Sequence, residues 1–588
     1  MYTLDNGIIT CYNVAMYIES VPNRNSPPAI LLRESYRENG RVLKRTIGNI
    51  SHWTPEKIEE LRANISKTSR KSSSGISSDQ FAIRRNIPHG HVAAIIGTVK
   101  KLGLDSIVSS RRCRQLDLVL GMIAERIIHP ASKLGTSRLW NNTTLAQDLN
   151  IADSDVKELY SAMDWLLARQ ERIEKKLASR HLTEGGLVLY DVTSSYYEGK
   201  TCSLAAFGHN RDRKKGKKII VYGAMTDSVG RPIAVQVYPG NTADPTTVPD
   251  QVDKLRNRFG LNRVVLVGDR GMLTQTQIDN LKKYPGLSWI SALHSRAILN
   301  LMDGGSLQMS LFDERNLAEI TSPLFPGERL IACFNPSLAI ERKHKREALL
   351  AATEKELLSI VAQVSRRTKK PLDKAEIGRK VGEVINNFKV AKHFKTTIAD
   401  GSFSYSRRED SISRESDMDG IYVIRTSEPY TRLSPEDTVR SYKSLSQVEQ
   451  AFRTLKSLDI LVRPIRHRDD DRVRAHIFLC SLAYYVEWHM RKALAPILFI
   501  DDELDENRKK RNPVKPAFAS DSAKLKKMTK LTPDGFPVHS FDTLLEDLGT
   551  LCRNLCYLKS DPDSTFYQDT DPSPLQLKAF QLLSICTQ

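Results

Sequence analysis

No CxxC pair occurs among the eight cysteines of this chain, so a zinc knuckle has no scaffold. The cysteines are scattered. The one close pair, Cys552 and Cys556, has a spacing that suits one helix face, and reduced thiols of a cytoplasmic protein are the expectation. GxGxxG and GxxxxGK[ST] are both missing, which removes the usual phosphate cradles and with them the expectation of ATP use. Long apolar runs are missing too. The most apolar stretch, Ile477 to Val486, is too short to span a membrane and meets Glu487, His489 and Arg491, so it reads as a core helix. The amino-terminal MYTLDNGIIT has neither the basic nor the apolar segment of a secretory signal. No membrane partner is expected.

What the chain has in excess is positive charge. Its 588 residues hold 88 Lys plus Arg against 69 Asp plus Glu, a net charge of +19, which favours a polyanionic partner without proving one. With 40% hydrophobic and 27% charged residues it can bury a sizeable core, and its length suggests roughly three or four domains. Residues 1–65 read as a small β-hairpin module, with a turn at Glu38-Asn39-Gly40, followed by a helix capped by Thr54 with Pro55 in its first position. Residues 66–88 begin with a Ser-rich stretch and read as a flexible linker, 89–182 as a helical domain suited to DNA binding, and 501–588 as a basic linker with a helical tail.

Between these lies an α/β pattern that carries three carboxylates. Asp191 closes the apolar run of GGLVLYDVTSSYYE and Asp269 follows that of RVVLVGDRGM, so both are expected on β-rich segments at a sheet's edge. Glu449 lies in SYKSLSQVEQAFRTLKS, which reads as one helix: at about 100° per residue, Tyr442, Glu449 and Lys456 fall within roughly 20° of one line, with Arg453 about 40° away. Leu445, Val448, Phe452 and Leu455 form the adjacent apolar stripe. Hard divalent cations prefer such oxygen ligands, and two Mg²⁺ or Mn²⁺ ions held by three carboxylates would activate an attacking water or hydroxyl and stabilise the leaving oxygen at phosphorus. Singly, each residue has a structural reading: an Asp at a strand end forms turns or caps helices, and Glu449 can pair with Arg453 at i,i+4. The combination carries the case.

The segments between the aspartates run strand, strand, strand, helix, strand, the order of an RNase H-like core with a mixed sheet and flanking helices. That core is assigned to 183–299 and 436–500. The interval from Asp269 to Glu449 is far longer than the fold needs, and 300–435 is taken as an insertion. Two basic clusters are candidate DNA contacts. Arg211, Arg213, Lys214, Lys215, Lys217 and Lys218 stand between the first two strands, and Arg342, Lys343, Lys345, Arg346, Arg366, Arg367, Lys369 and Lys370 stand in the insertion, where a solvated helix face is the simpler reading. Tyr196, Tyr197 and His476 are read as packing residues, and His209 as able to approach phosphate.

The segments YDVTSSYYEG, YPGNTADP, GDRGM and YKSLSQVEQAFRTLKS resemble those of bacterial insertion-sequence transposases of the DDE type, in the branch with a Tyr-Arg-Glu-Lys helix signature. Tyr442, Glu449 and Lys456 match that signature, whereas Leu445 stands at its arginine position, with Arg453 as a replacement nearby. The resemblance implies cleavage of double-stranded DNA at the ends of a mobile element and joining of the freed 3′ hydroxyl to target DNA. It also implies Asp191, Asp269 and Glu449 as ligands of two Mg²⁺ or Mn²⁺ ions, Tyr442 and Lys456 as backbone contacts, a β-rich character for the 300–435 insertion, and a homodimer on DNA in the bacterial cytoplasm. The alternatives are a metal-dependent nuclease that cannot join ends and a domesticated, non-catalytic DNA-binding protein.

Overall fold

The run Leu187–Tyr196 is buried along most of its length on both faces, which a strand achieves only inside a covered sheet. In the computed structural model, which describes residues 4–5, 8–9, 15–23, 27–38, 41–69 and 81–585, this run is an interior strand of an eight-stranded mixed sheet. Numbered within that sheet, the strands are β1 (Leu187–Tyr196), β2 (Ile219–Asp227), β3 (Pro232–Tyr238), β4 (Val264–Val267), β5 (Leu287–Ala292), β6 (Leu317–Ile320), β7 (Arg329–Phe334) and β8 (Ile421–Thr426). Their spatial order is β6-β7-β8-β5-β4-β1-β2-β3. β4 runs parallel to β1 and to β5, and the other pairings are antiparallel.

Asp191 therefore sits in mid-strand opposite Ala224 of β2, two residues past the last β4 pairing at Leu189, on an interior strand and not at an edge of the sheet as the apolar run suggested. The strand continues because Val192 and the small Thr193, Ser194 and Ser195 are all buried and fit a crowded pleat. The helix Leu445–Lys456 covers β1, and its Phe452 ring meets Tyr222 of β2 edge-on at 5.9 Å. The long helix Asp470–Leu494 joins the sheet to the helices of 89–182, packing on β3 and on Arg114–Ile128 and Val156–Leu167. His476 is buried in that helix with Nε2 against the Val462 carbonyl at 3.0 Å, and Tyr197 is buried as well.

Other expectations are corrected as well. A boundary at 300–435 would remove β6 and β7 from the sheet, yet both lie in it, and β7 pairs with β8 along its whole length. The part with a core of its own is narrower and mainly helical. It comprises Pro336–Arg366, Lys374–Phe388, a hairpin of Phe394–Ala399 with Ser402–Arg407, and Glu409–Ser416, packed around Leu350, Leu357, Ile377 and Phe403. Asn335 starts this lobe by accepting from the N–H groups of Ser337 and Leu338, with Pro336 at the first helical position.

The linker and the tail also differ. The first helix, Pro55–Ser69, extends past residue 65, and Phe81–Pro88 is a strand, paired with a carboxy-terminal hairpin of Cys552–Leu558 and Asp561–Asp569. Residues 70–80 lie outside the described residues, as do 39–40 of the expected turn. Strands Ala29–Glu38 and Arg41–Asn49 are present, and Ala15–Val21 adds a third. Trp53, Leu32 and Ile58 of this module share one core with Cys556 and Phe566 of the carboxy-terminal hairpin, so the two ends of the sequence stabilise each other. Cys552 and Cys556 are on a strand, because a spacing of four places two residues on one face of a strand as well as of a helix. The six described cysteines are free thiols. No helix among the described residues is long and apolar enough to cross a membrane.

Candidate active site

The expected single helix around Glu449 is two helices, Pro435–Lys443 and Leu445–Lys456, meeting at Ser444. The Ser444 hydroxyl donates to the Arg440 carbonyl at 3.0 Å, a back-bond to residue i−4 that competes with the helical ladder and turns the chain. Ser434 caps the first helix by accepting from the Asp437 N–H, with Pro435 at its first position. Tyr442 thus belongs to the first helix and Glu449, Arg453 and Lys456 to the second.

Asp191, Asp269, Tyr442, Glu449, Arg453, Lys456 and Arg211 nevertheless line one cleft of about 740 Å³. Strand β1 contributes Asp191, the turn after β4 contributes Asp269, the β1–β2 loop contributes Arg211, and the paired helices contribute Tyr442, Glu449, Arg453 and Lys456. The Asp191 Oδ1 accepts the Val192 N–H at 2.8 Å, yet burial pushes its carboxyl up to about 7, with the Asp269 and Asp244 charges adding to the shift and Arg211 opposing it. Asp269 is exposed, and Tyr442 donates its hydroxyl to Oδ1 at 3.3 Å. Burial, with the Asp269 charge, holds that phenol protonated well above its ordinary range. Glu449 is 60% exposed and Arg453 74%, in an ion pair of 3.8 Å that solvent weakens and a ligand can replace. Among the described residues, no three of His, Cys, Asp or Glu stand close enough to form a ready-made metal cage. The cleft lining instead supplies carboxylate oxygens from separate elements, a donor set that fits hard divalent cations.

Two acids that the sequence reading passed over shape this cleft. Asp244, in the YPGNTADP turn, pairs with Arg211 at 2.5 Å. Asp212, the lone acid of the basic run GHNRDRKKGKK, has a side chain only 1% exposed, accepts the Tyr196 N–H at 2.9 Å, and meets Lys456 at 3.1 Å and Arg463 at 2.5 Å. An acid embedded in a cationic run was the available signal. Lys456, expected free to meet a phosphate, is therefore held inside the protein, donating also to the Ser194 carbonyl at 2.5 Å. Arg213, Lys214 and Lys215 are exposed in the β1–β2 loop, Arg213 in the left-handed region at φ 56° and Lys214 over the Tyr196 ring at 5.9 Å. His209 is exposed, with its carbonyl accepting the Ser194 hydroxyl. Leu445 is buried beside the cleft. In the lobe, Arg346 is consumed by Asp419 at 2.6 Å and Arg342 by the carbonyls of Met418 and Ile421, while Arg366, Arg367, Lys369 and Lys370 are exposed.

The two loops that carry Arg211 and Asp244 touch through glycines. A Cβ on Gly240 would lie 2.0 Å from the Ile219 carbonyl and 2.6 Å from that of Ala206, and one on Gly208 would lie 2.1 Å from the Gly240 carbonyl. Gly240→Ala must part these backbones, and a loss of about 1–3 kcal/mol is expected, the usual scale of overpacking. Thermal unfolding checks it, and an unchanged midpoint would show that the loops yield freely.

Residues 184–486, just over half of the chain, match the model of the transposase DDE domain. The chain belongs to the DDE transposases. Residues 18–79 match the amino-terminal domain of IS1634 family transposases, which covers the small β module and its helix. No curated protein matches the chain. Among solved structures, a piggyBac transposase synaptic complex with hairpin DNA aligns over 76% of this chain and 88% of its own at 11% identity, with a TM-score of 0.28. The matched DDE region spans β1 to β8 and both helices of the cleft, so the transposase family and the cleft coincide in sequence.

Proposed function

We propose that this DNA transposase cuts and joins DNA in the cleft between β1, β4 and the Glu449 helix, with Asp191, Asp269 and Glu449 holding two Mg²⁺ or Mn²⁺ ions. The observation that carries the reading is that three carboxylates, far apart in sequence, line one cleft. The strand order β3-β2-β1-β4-β5, with β4 and β5 parallel to β1, supports an RNase H-like core to which β8, β7 and β6 are added, and the lobe within 336–416 is the proposed insertion. When bound, the ions supply activation of the attacking oxygen and charge stabilisation at phosphorus.

The chain's own groups prepare the site. Asp191 is desolvated and rigid in mid-strand, so it fixes position, whereas the exposed Glu449 can change rotamer as ligands arrive. Tyr442 orients Asp269 through its hydroxyl. Arg453 sits on the cleft wall in a weak, exposed pair with Glu449, where it can neutralise phosphate, and the exposed Arg213, Lys214 and Lys215 extend that surface along the strand being cut, while Arg211 is held by Asp244. Lys456 is best read as a positioning residue that ties the Glu449 helix to β1. Cutting both ends of an element calls for two active sites, and a homodimer on DNA is the proposed assembly. Incubation of purified protein with DNA carrying the element ends and Mg²⁺, followed by mapping of cut and joined products, tests the reading. Cutting without joining would leave a nuclease, and binding without cutting a domesticated DNA-binding protein.

A further inference from the structure

Beside the carboxylate cleft lies a second concavity of opposite charge. It measures about 260 Å³ and its lining holds five cations, Arg440, Lys443, Arg508, Arg511 and Lys515, and no carboxylate. Lys443 and Ser446 line both spaces, so the two share a wall. Arg440 pairs with Asp437 at 2.7 Å, while no ion pair among the described residues reaches the other four cations. Neutral oxygens meet some of them. Lys443 donates to the Pro513 carbonyl at 2.5 Å and Arg440 to the Arg511 carbonyl at 3.0 Å, and with the Gln447 amide turned over its oxygen accepts from Arg508 at 2.6 Å. The Arg440 Nε is buried without a partner. Burial, with Arg508 and Arg440 as like charges, lowers the Arg511 pKa, and burial with Arg511 lowers that of Lys443. Uncompensated cations held this close cost free energy that an anion in the concavity would recover.

We propose that this concavity binds a backbone phosphate of the same DNA strand whose scissile phosphate occupies the adjoining cleft, which rests on the reading of that cleft as the cutting site. Arg440 and Lys443 flank Tyr442 on one helix, and Arg508 and Arg511 approach from the separate segment after Leu504. A phosphate gripped between them sets the register of the strand relative to Tyr442 and Glu449. Continuity with the cleft favours a strand over a free anion, since a nucleic-acid backbone presents successive phosphates to both spaces.

The test uses the full-length protein, the variants Arg508→Gln, Arg511→Gln, their double and Lys515→Gln, and a fluorescent random-sequence duplex of about 30 base pairs, titrated between about 50 and 200 mM salt. Each single variant should weaken binding at low salt, and the double, which releases the one phosphate held here, should lower the magnitude of the slope of log K against log salt by about one unit. A double variant with wild-type slope and affinity overturns the proposal, and the exposed Lys515→Gln supplies the same readout if the double unfolds. In a second arm, thermal midpoints are compared in phosphate and chloride at equal ionic strength. A phosphate-specific rise lost in the double variant, with the DNA slope unchanged, makes this a free-anion pocket and overturns the assignment to a strand. Asp191→Asn separates the two readings. Lost cleavage in that variant with an unchanged slope in the double overturns the phosphate site alone, whereas slope loss beside intact cleavage in Asp191→Asn overturns the cleft it rests on.

Discussion

Asp191→Asn is expected to lower strand cleavage more than about 10²-fold, the scale on which loss of one fixed electrostatic group acts, while the protein keeps its fold and its affinity for duplex DNA. The reason lies in where the carboxyl sits. Asparagine has nearly the same volume, and its amide oxygen can keep the bond from the Val192 N–H that Asp191 Oδ1 now accepts at 2.8 Å. Burial already pushes this carboxyl up to about 7, so its charge is a cost to the folded protein and not a support. Removing that charge also removes repulsion toward phosphate. The thermal midpoint and DNA affinity should therefore hold or rise as cleavage is lost. Cleavage at the wild-type rate in Mg²⁺ or Mn²⁺ would exclude Asp191 from the reacting centre, and a collapse of folding would give it a structural role instead.

Asp212→Ala should act in the opposite way, through stability first. Its side chain is 1% exposed and meets Lys456 at 3.1 Å and Arg463 at 2.5 Å. Deleting one member of a buried ionic cluster strands the others, and the cost is typically about 3–5 kcal/mol. The affected contacts tie the Glu449 helix to β1, since Lys456 also donates to the Ser194 carbonyl. Cleavage should then fall because the helix loses its seat. Lys456→Ala should be milder than Asp212→Ala, because Arg463 still balances the carboxylate, and it should leave the salt slope of DNA binding unaltered. Thermal unfolding and salt titration of the two variants decide this. A lower salt slope in Lys456→Ala would return the lysine to the DNA surface, and an unmoved midpoint in Asp212→Ala would show that water replaces the missing carboxylate at no cost.

Much of the chemistry is local in sequence. Asp191 after LVLY, Asp269 after VVLV and the seven-residue spacing of Tyr442, Glu449 and Lys456 are properties of short segments, and all five side chains line the cleft. What periodicity could not separate were patterns that two structures satisfy equally. Cys552 and Cys556 fit a helix face and a strand face, and only pairing with Phe81–Pro88, more than four hundred residues away, makes the strand. Likewise, the break at Ser444 depends on a hydroxyl choosing the Arg440 carbonyl over solvent, which no wheel of apolar positions registers.

By itself, then, the sequence determined the identity and order of the carboxylates, the helical character of 89–182 and the basic balance of the chain, because each follows from composition or from the repeat of one element. Only the tertiary structure decided which charges are spent. Lys456 and Arg211 looked free and are paired with Asp212 and Asp244, while Arg508 and Arg511 in an apparent linker lack carboxylate partners among the described residues and stand next to the cleft. The same holds for β6 and β7, whose place in the sheet depends on β8 arriving from the far side of the lobe. Pairing and burial are long-range properties. A side chain's charge is written in its residue type, but its availability is set by what the fold brings to within a few ångströms of it.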